Sequence, residues 1–182
     1  MPRLWRGRRL GVVWMARGVL SAMRREAHRS APYETGGVLI GYWASGGTEA
    51  VVTAVVGPGA DAEHELHSFR PDYVFQESEI ARLYEESRGR ETYLGDWHTH
   101  PDAPDGRLSG KDRRTLWRIA TFKEARAERP LMAVMHSGDP AWDLTVWQGR
   151  ASRALRIVPC ATLTALEVRE YGDADDVSRE LR

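Results

Sequence analysis

Apolar positions along the chain alternate between two periods, and the changes of period outline the elements. Leu10–Met15 reads as a short apolar strand. In Ala16–Ser30 the apolar residues Val19, Leu20, Met23 and Ala27 take the spacing of an amphipathic helix, which Pro32 stops. Tyr33–Trp43 (Y-E-T-G-G-V-L-I-G-Y-W) and Ala50–Val56 are rich in strand formers, and A-S-G-G-T between them predicts a hairpin. Gly57–Pro71 is irregular and holds His64 and His67; a loop that long tends to be functional. Asp72 then caps a helix running to about Ser87, with Val74, Phe75, Ile80, Leu83 and Tyr84 on or near one face. A strand over Thr92–His100, a helix over Ser109–Arg126 and a strand pair over Leu131–His136 and Trp142–Trp147 follow, with Ser152–Pro159 a candidate for one more strand. This order predicts an α/β sandwich, a mixed β-sheet flanked by helices.

Composition narrows the picture. A chain of 182 residues suits one domain with a real core, which we place at about 1–160, followed by an acidic C-terminal tail over 161–182. Lys+Arg and Asp+Glu are both 26, so net charge argues neither for nucleic acid nor for an acidic partner. The arginine-rich start, eight arginines against Glu26 alone in residues 1–30, could touch nucleic acid, but a solvated charged face is the commoner meaning of such a run. Nucleic acid is therefore not the expected partner. The single cysteine, Cys160, excludes an internal disulfide and a cysteine-built zinc ribbon, and it suits a reducing cytosol. The apolar run after the basic start breaks at Arg17, too early for a secretory signal, and no stretch is long enough to cross a bilayer. The expectation is a cytoplasmic protein with no membrane partner.

Candidate chemistry concentrates in H-T-H-P at 98–101 and S-G-K-D at 109–112. His98 and His100 lie two apart on a strand, so both imidazoles face one way. Pro101 ends the strand, and Ser109 and Asp112 open the next helix on its first turn. Two neutral nitrogens and a carboxylate leave a fourth tetrahedral position for water, the arrangement of a catalytic zinc. Alone, S-x-x-D is a helix cap and H-x-H is more often chance; side by side they are hard to dismiss. Glu34, at the head of E-T-G-G-V-L-I-G, is the best candidate for a general base, where two glycines permit close backbone approach. Asp96 shares the histidine face, either as their hydrogen-bond partner or as a half-exposed strand acid, while Trp97 points into the core. His64, His67, His136 and Cys160 match no defensible second metal site, and Cys160 is better read as a small buried hydrophobe than as a nucleophile.

Together, Glu34 and H-T-H-P-x(7)-S-x-x-D at 98–112 resemble the JAMM motif of the JAB/MPN metallopeptidases, without a departure in ligand or spacing and over roughly residues 10–150. The resemblance implies a zinc peptidase or isopeptidase on the α/β MPN fold, with one catalytic Zn2+. It implies that His98, His100 and Asp112 bind the ion, that Glu34 handles the proton and that Ser109 supports the oxyanion. A silent MPN scaffold is the alternative, although such members would be expected to lack a ligand.

A narrower resemblance rests on G-P-G-A-D-A-E-H before S-F-R-P-D, then Y-L-G-D-W-H-T-H-P. These stretches are similar to bacterial JAB proteins encoded beside E1/E2-like enzymes in anti-phage operons, including CBASS. Its implied partner is the C-terminal tail of a ubiquitin-like modifier, or of a cyclic-nucleotide synthase, conjugated to a target protein. The tail would add a strand beside the metal, between Gly57–Pro71 and Asp102–Leu108. The runner-up substrate is a sulfur-carrier-type ubiquitin-like protein whose tail is trimmed.

Overall fold

A computed structural model describes residues 11–44, 46–136, 141–152 and 160–172. Strand β1 (Val12–Ala16) leads into helix α1 (Arg17–Ser30), and β2 (Gly36–Ala44) and β3 (Glu49–Val56) form the expected hairpin. The long segment after them is organised by a two-residue ladder, β4 (Glu63–His64) against β5 (Phe69–Arg70). Helix α2 (Tyr73–Glu86) starts where Asp72 accepts the Phe75 N–H at 3.0 Å. Strand β6 (Thr92–His100), helix α3 (Gly110–Thr121) and strands β7 (Leu131–His136), β8 (Asp143–Ser152), β9 (Cys160–Ala165) and β10 (Glu167–Tyr171) complete the chain.

Eight strands make one mixed sheet in the order β10-β1-β3-β2-β6-β7-β8-β9. β1 runs parallel to both β10 and β3, β6 runs parallel to β7, and the other neighbours are antiparallel. Only Leu166 separates β9, at one edge, from β10, at the other. Its N–H donates to the Val146 carbonyl at 2.9 Å. The sheet must therefore curl until its two edges meet.

Alternation along the strands sorts side chains between the faces. On β7, Leu131, Ala133 and Met135 join the main core with Val19, Leu20, Met23 and Ala27 of α1. Met132 and Val134 face the other way and pack with Leu108 and with Leu116 of α3. Val38, Ile40 and Val56 meet Ile80 and Leu83 of α2 on that same outer side. One helix thus covers one face and two helices the other, the mixed sheet flanked by helices that the apolar pattern predicts.

Most boundaries agree with the sequence expectation to within about three residues, and three regions differ by more. The helix expected over Ser109–Arg126 ends at Thr121, because Phe122 is extended and a 3-10 turn follows at Lys123–Ala125. K-E-A-R-A-E-R offers no apolar stripe to bury, and Phe122 is itself exposed. The stretch from 161, expected as an acidic tail, enters the sheet as β9 and β10. Its acids masked an apolar pattern: Leu163 packs beside Leu116, and Leu166, Val168 and Tyr171 reach the main core while Glu167 and Glu170 stay exposed. β8 continues past Trp147 to Ser152, whereas most of the candidate strand Ser152–Pro159 lies outside the described residues. So does the arginine-rich start with Arg6, Arg8 and Arg9. Among the described residues, no helix is long and apolar enough to cross a membrane.

Candidate active site

Strand β6 carries the two histidines, and a defect in its alternation sets what surrounds them. Pairing with β2 slips between Leu39, opposite Gly95, and Ile40, opposite Tyr93, leaving Leu94 as the extra residue of a β-bulge. Gly95 takes φ 151, and a Cβ there would lie 2.0 Å from the Leu131 carbonyl oxygen. The extra residue lets Leu94 and Trp97, three apart, both enter the main core. The Tyr93 hydroxyl donates to Asp96 Oδ1 at 2.6 Å, so Asp96 is engaged by a tyrosine rather than by a histidine. Burial pushes the Asp96 carboxyl up, against the pull of that hydrogen bond and of His98. Beyond the bulge the period of two resumes, and His98 and His100 point together: their rings are 4.7 Å apart and their Nε2 atoms 2.9 Å.

Asp112 reaches them from the first turn of α3. Its Oδ1 is 3.4 Å from His98 Nε2 and its Oδ2 is 3.6 Å from His100 Nε2, so one ion could reach all three side chains. A capping box orients that carboxylate: Oδ2 accepts the Ser109 N–H at 2.7 Å, and Ser109 Oγ accepts the Asp112 N–H at 3.2 Å. The cap reading of S-x-x-D is thus observed, and the capped carboxylate faces both histidines. Burial would raise the Asp112 carboxyl, but hydrogen bonds from His100 and His98, and from Ser109, hold it far below the usual carboxylate range. Hydrogen bonding to Asp112 raises His100 in turn, against its burial.

Glu34 lies just ahead of β2, and its backbone is held from outside the main sheet. Its N–H donates to the Glu65 carbonyl at 2.8 Å, and its carbonyl accepts from His64 Nδ1 at 3.0 Å, both from the β4–β5 hairpin. The next residue ties this segment to the histidines. Thr35 N–H donates to Thr99 Oγ1 at 2.9 Å, and Thr99 N–H donates to the Thr35 carbonyl at 2.8 Å, with both threonines wholly buried. Thr35 Oγ1 also donates to Glu26 Oε1 of α1 at 3.1 Å. The two glycines that follow permit this approach. A Cβ on Gly36 would lie 2.3 Å from the Trp97 carbonyl oxygen, and one on Gly37 would lie 1.9 Å from that of Val56.

These groups line one cleft of about 650 Å³ between the β4–β5 loop with the start of α2 and the outer face of α3. Glu34, His98, His100, Ser109 and Asp112 all border it, so the five site residues named from the sequence share one cavity. Desolvation raises the Glu34 carboxyl, opposed by the nearby His98 and His100. The three histidines weighed for a second metal site divide: His67 lines the cleft, His64 holds the Glu34 backbone, and His136 Nε2 lies 3.2 Å from Thr145 Oγ1. Among the described residues, His98, His100 and Asp112 are the one group of three placed to share an ion; the Cys160 side chain lies outside them. Sequence reasoning missed the supporting parts. Thr35, Thr99 and the Nδ1 contact of His64 depend on pairings across 64 and 30 residues, for which no local pattern exists.

Comparison with known proteins agrees with this arrangement. The family described as prokaryotic homologs of the JAB domain matches residues 16–158. A probable metalloprotease, y4qB, of Sinorhizobium fredii is 38% identical over 160 residues, covering 88% of this chain and 97% of that protein. A CD-NTase/cGAS isopeptidase of Vibrio cholerae is 33% identical over 131 residues, covering 72% of this chain and 75% of its own length. Among solved structures, the solution structure of DSY2949 from Desulfitobacterium hafniense superimposes with a TM-score of 0.65 at 16% identity. That match covers 90% of this chain and 96% of the other, and it bears on the fold alone. The chain belongs to the prokaryotic JAB family and is a JAMM-type hydrolase.

Proposed function

We propose that the chain is a zinc-dependent isopeptidase that cuts after the C-terminus of a conjugated ubiquitin-like protein or cyclic-nucleotide synthase. It would release that protein from its targets in a bacterial anti-phage system. One observation carries the reading: two imidazoles and a carboxylate converge from β6 and α3 in the cleft that Glu34 borders. Tetrahedral zinc with bonds of about 2.0–2.2 Å would hold its ligand atoms roughly 3.3–3.6 Å apart. The 2.9 Å between the two imidazole nitrogens, and the 3.4 and 3.6 Å from each of them to one oxygen of the Asp112 carboxylate, lie close to that spacing, so the residues fit the ion. The isopeptidase of Vibrio cholerae, named for CD-NTase and cGAS, supports the choice of substrate, and the single cysteine suits the cytosol.

When bound, zinc lowers the pKa of a coordinated water to about 7 and polarises the scissile carbonyl. Glu34 takes the proton of the attacking water and returns it to the departing amine. Its burial favours this, because desolvation raises the carboxyl above its ordinary value and so strengthens it as a base. Ser109 Oγ already accepts from the Asp112 N–H, so its own hydrogen remains to donate to the oxygen that gains charge. Metal-loaded protein should split a modifier–target fusion, and Glu34→Gln should reduce the rate about 10²–10⁴-fold without losing zinc. Undiminished cleavage by that variant, or by chelated protein free of zinc, would remove this mechanism.

A further inference from the structure

The cleft walls differ in chemistry in a way that the reaction itself does not require. Phe69, Pro71 and Tyr73 form a wall of two aromatic rings and a proline on the side of the β4–β5 loop and α2. Opposite them, Lys111, Arg114 and Arg118 project from α3. These cations are three and four residues apart, one stripe of the helix, and all three are exposed. None stands within ion-pair distance of a carboxylate among the described residues, whereas Arg82 on α2 is held by Glu79 and Glu86. Three carboxylates also border the cleft, but Asp96 is bonded to Tyr93, Asp112 faces the histidines and Glu34 lies at the head of β2. The outward stripe of α3 is left positive.

Helix geometry converts this stripe into a spacing. Arg114 and Arg118 are separated by about 6 Å along the axis at 1.5 Å per residue. Alternate side chains of an extended strand recur every 6.6–6.8 Å or so, at about 3.3–3.4 Å per residue. An extended segment lying along α3 would present every second side chain to successive arginines. We infer that Arg114 and Arg118, with Lys111 nearer the metal site, select substrates carrying two acidic residues in an Asp-x-Asp or Glu-x-Glu pattern beside the cut bond. This rests on the isopeptidase reading for the identity of the segment. Such a pattern could stand on the modifier tail or on the target side, and the same cations would read either.

Binding and cleavage separate the inference from the reading beneath it. Fluorescent decapeptides that differ only in an Asp-x-Asp, Ser-x-Ser or Lys-x-Lys pair are titrated against zinc-loaded Glu34→Gln protein, following anisotropy. The acidic peptide should bind about tenfold tighter than the serine peptide at low salt, the lysine peptide weakest, and the gap should narrow at high salt. In the Arg114→Glu/Arg118→Glu protein, checked for fold by circular dichroism and for zinc content, the order should invert. Equal affinities in the parent protein, or an order the double variant leaves unchanged, overturn the inference whether or not any fusion is cut. Fusions with the pair before or after the scissile bond then assign the side by kcat/KM. Failure of the zinc-loaded parent to cut any fusion counts against the isopeptidase reading, while the peptide titration still decides the role of the arginines.

Discussion

Ser109 caps α3, and substitution can separate that task from the one proposed for it in the reaction. Its Oγ caps α3 by accepting the Asp112 N–H, and in the proposed reaction its O–H donates to the oxyanion. Glycine substitutes for a capping serine within a few tenths of a kcal/mol, whereas alanine costs about 0.5–2 kcal/mol. Neither supplies a hydroxyl, and loss of an oxyanion donor costs about 10²–10³ in kcat. Ser109→Gly should therefore melt close to the parent yet turn over as slowly as Ser109→Ala. If the two variants instead ranked in activity by their melting temperatures, the cap alone would explain Ser109. His64 offers a similar separation. Its Nδ1 donates to the Glu34 carbonyl, and an asparagine amide can place a nitrogen close to the same point. His64→Leu should lower kcat about tenfold or more with KM and zinc content little changed, and His64→Asn should recover most of the loss. Equal rates in the two variants would show that the contact does not position Glu34.

Most elements are legible from period alone, and the exceptions share a physical origin. Thr92–His100 and Leu131–His136 appear in the structure with the limits read from the sequence, because each is a run of strand formers closed by a turn or a polar break. The pattern leaves the bulge at Leu94–Gly95 unmarked. A bulge is specified by the partner strand, and glycine in a strand announces only that something close will be met. E-T-G-G was legible in the same incomplete way: the glycines signalled close approach, but not that Trp97 and Val56 were what they approached. The motif residues could be read because JAMM chemistry fixes their types and spacing, whereas Thr35, Thr99 and the His64 contact could not. Gly36→Ala tests the element directly. Its Cβ would meet backbone rather than a movable side chain, at 2.3 Å from the Trp97 carbonyl oxygen, so β2 and β6 would have to separate next to His98. A loss of about 3 kcal/mol or more, with zinc affinity reduced in whatever protein still folds, is expected. Gly18→Ala in α1, where a Cβ meets nothing within 4 Å, serves as the contrast and should be neutral or stabilising.

Across the whole molecule, curling of the sheet makes the last strand a structural member, although its composition reads as a solvated tail. β10 pairs with all five residues of β1, from Val12↔Glu167 to Ala16↔Tyr171. Tyr171 is 5% exposed, packs in the main core, and donates its hydroxyl to the Val52 carbonyl at 3.0 Å. β1 in turn leads directly into α1, whose Glu26 accepts from Thr35 beside Glu34. A path of packed and hydrogen-bonded elements thus joins β10 to the candidate site, although β10 lies at the edge of the sheet. Tyr171→Phe removes one hydrogen bond and should cost about 1 kcal/mol. Tyr171→Ala also removes a buried ring and should cost about 3–5 kcal/mol, as large aromatic-to-alanine changes in cores do. Truncation after Ala165 would expose one flank of β1 and should abolish cooperative melting, taking zinc binding with it. A solvated tail predicts the opposite: the truncated protein and Tyr171→Ala would melt within about 0.5 kcal/mol of the parent, as surface changes do. Denaturant melts of the three proteins decide between a closed sheet and a domain that ends at residue 160.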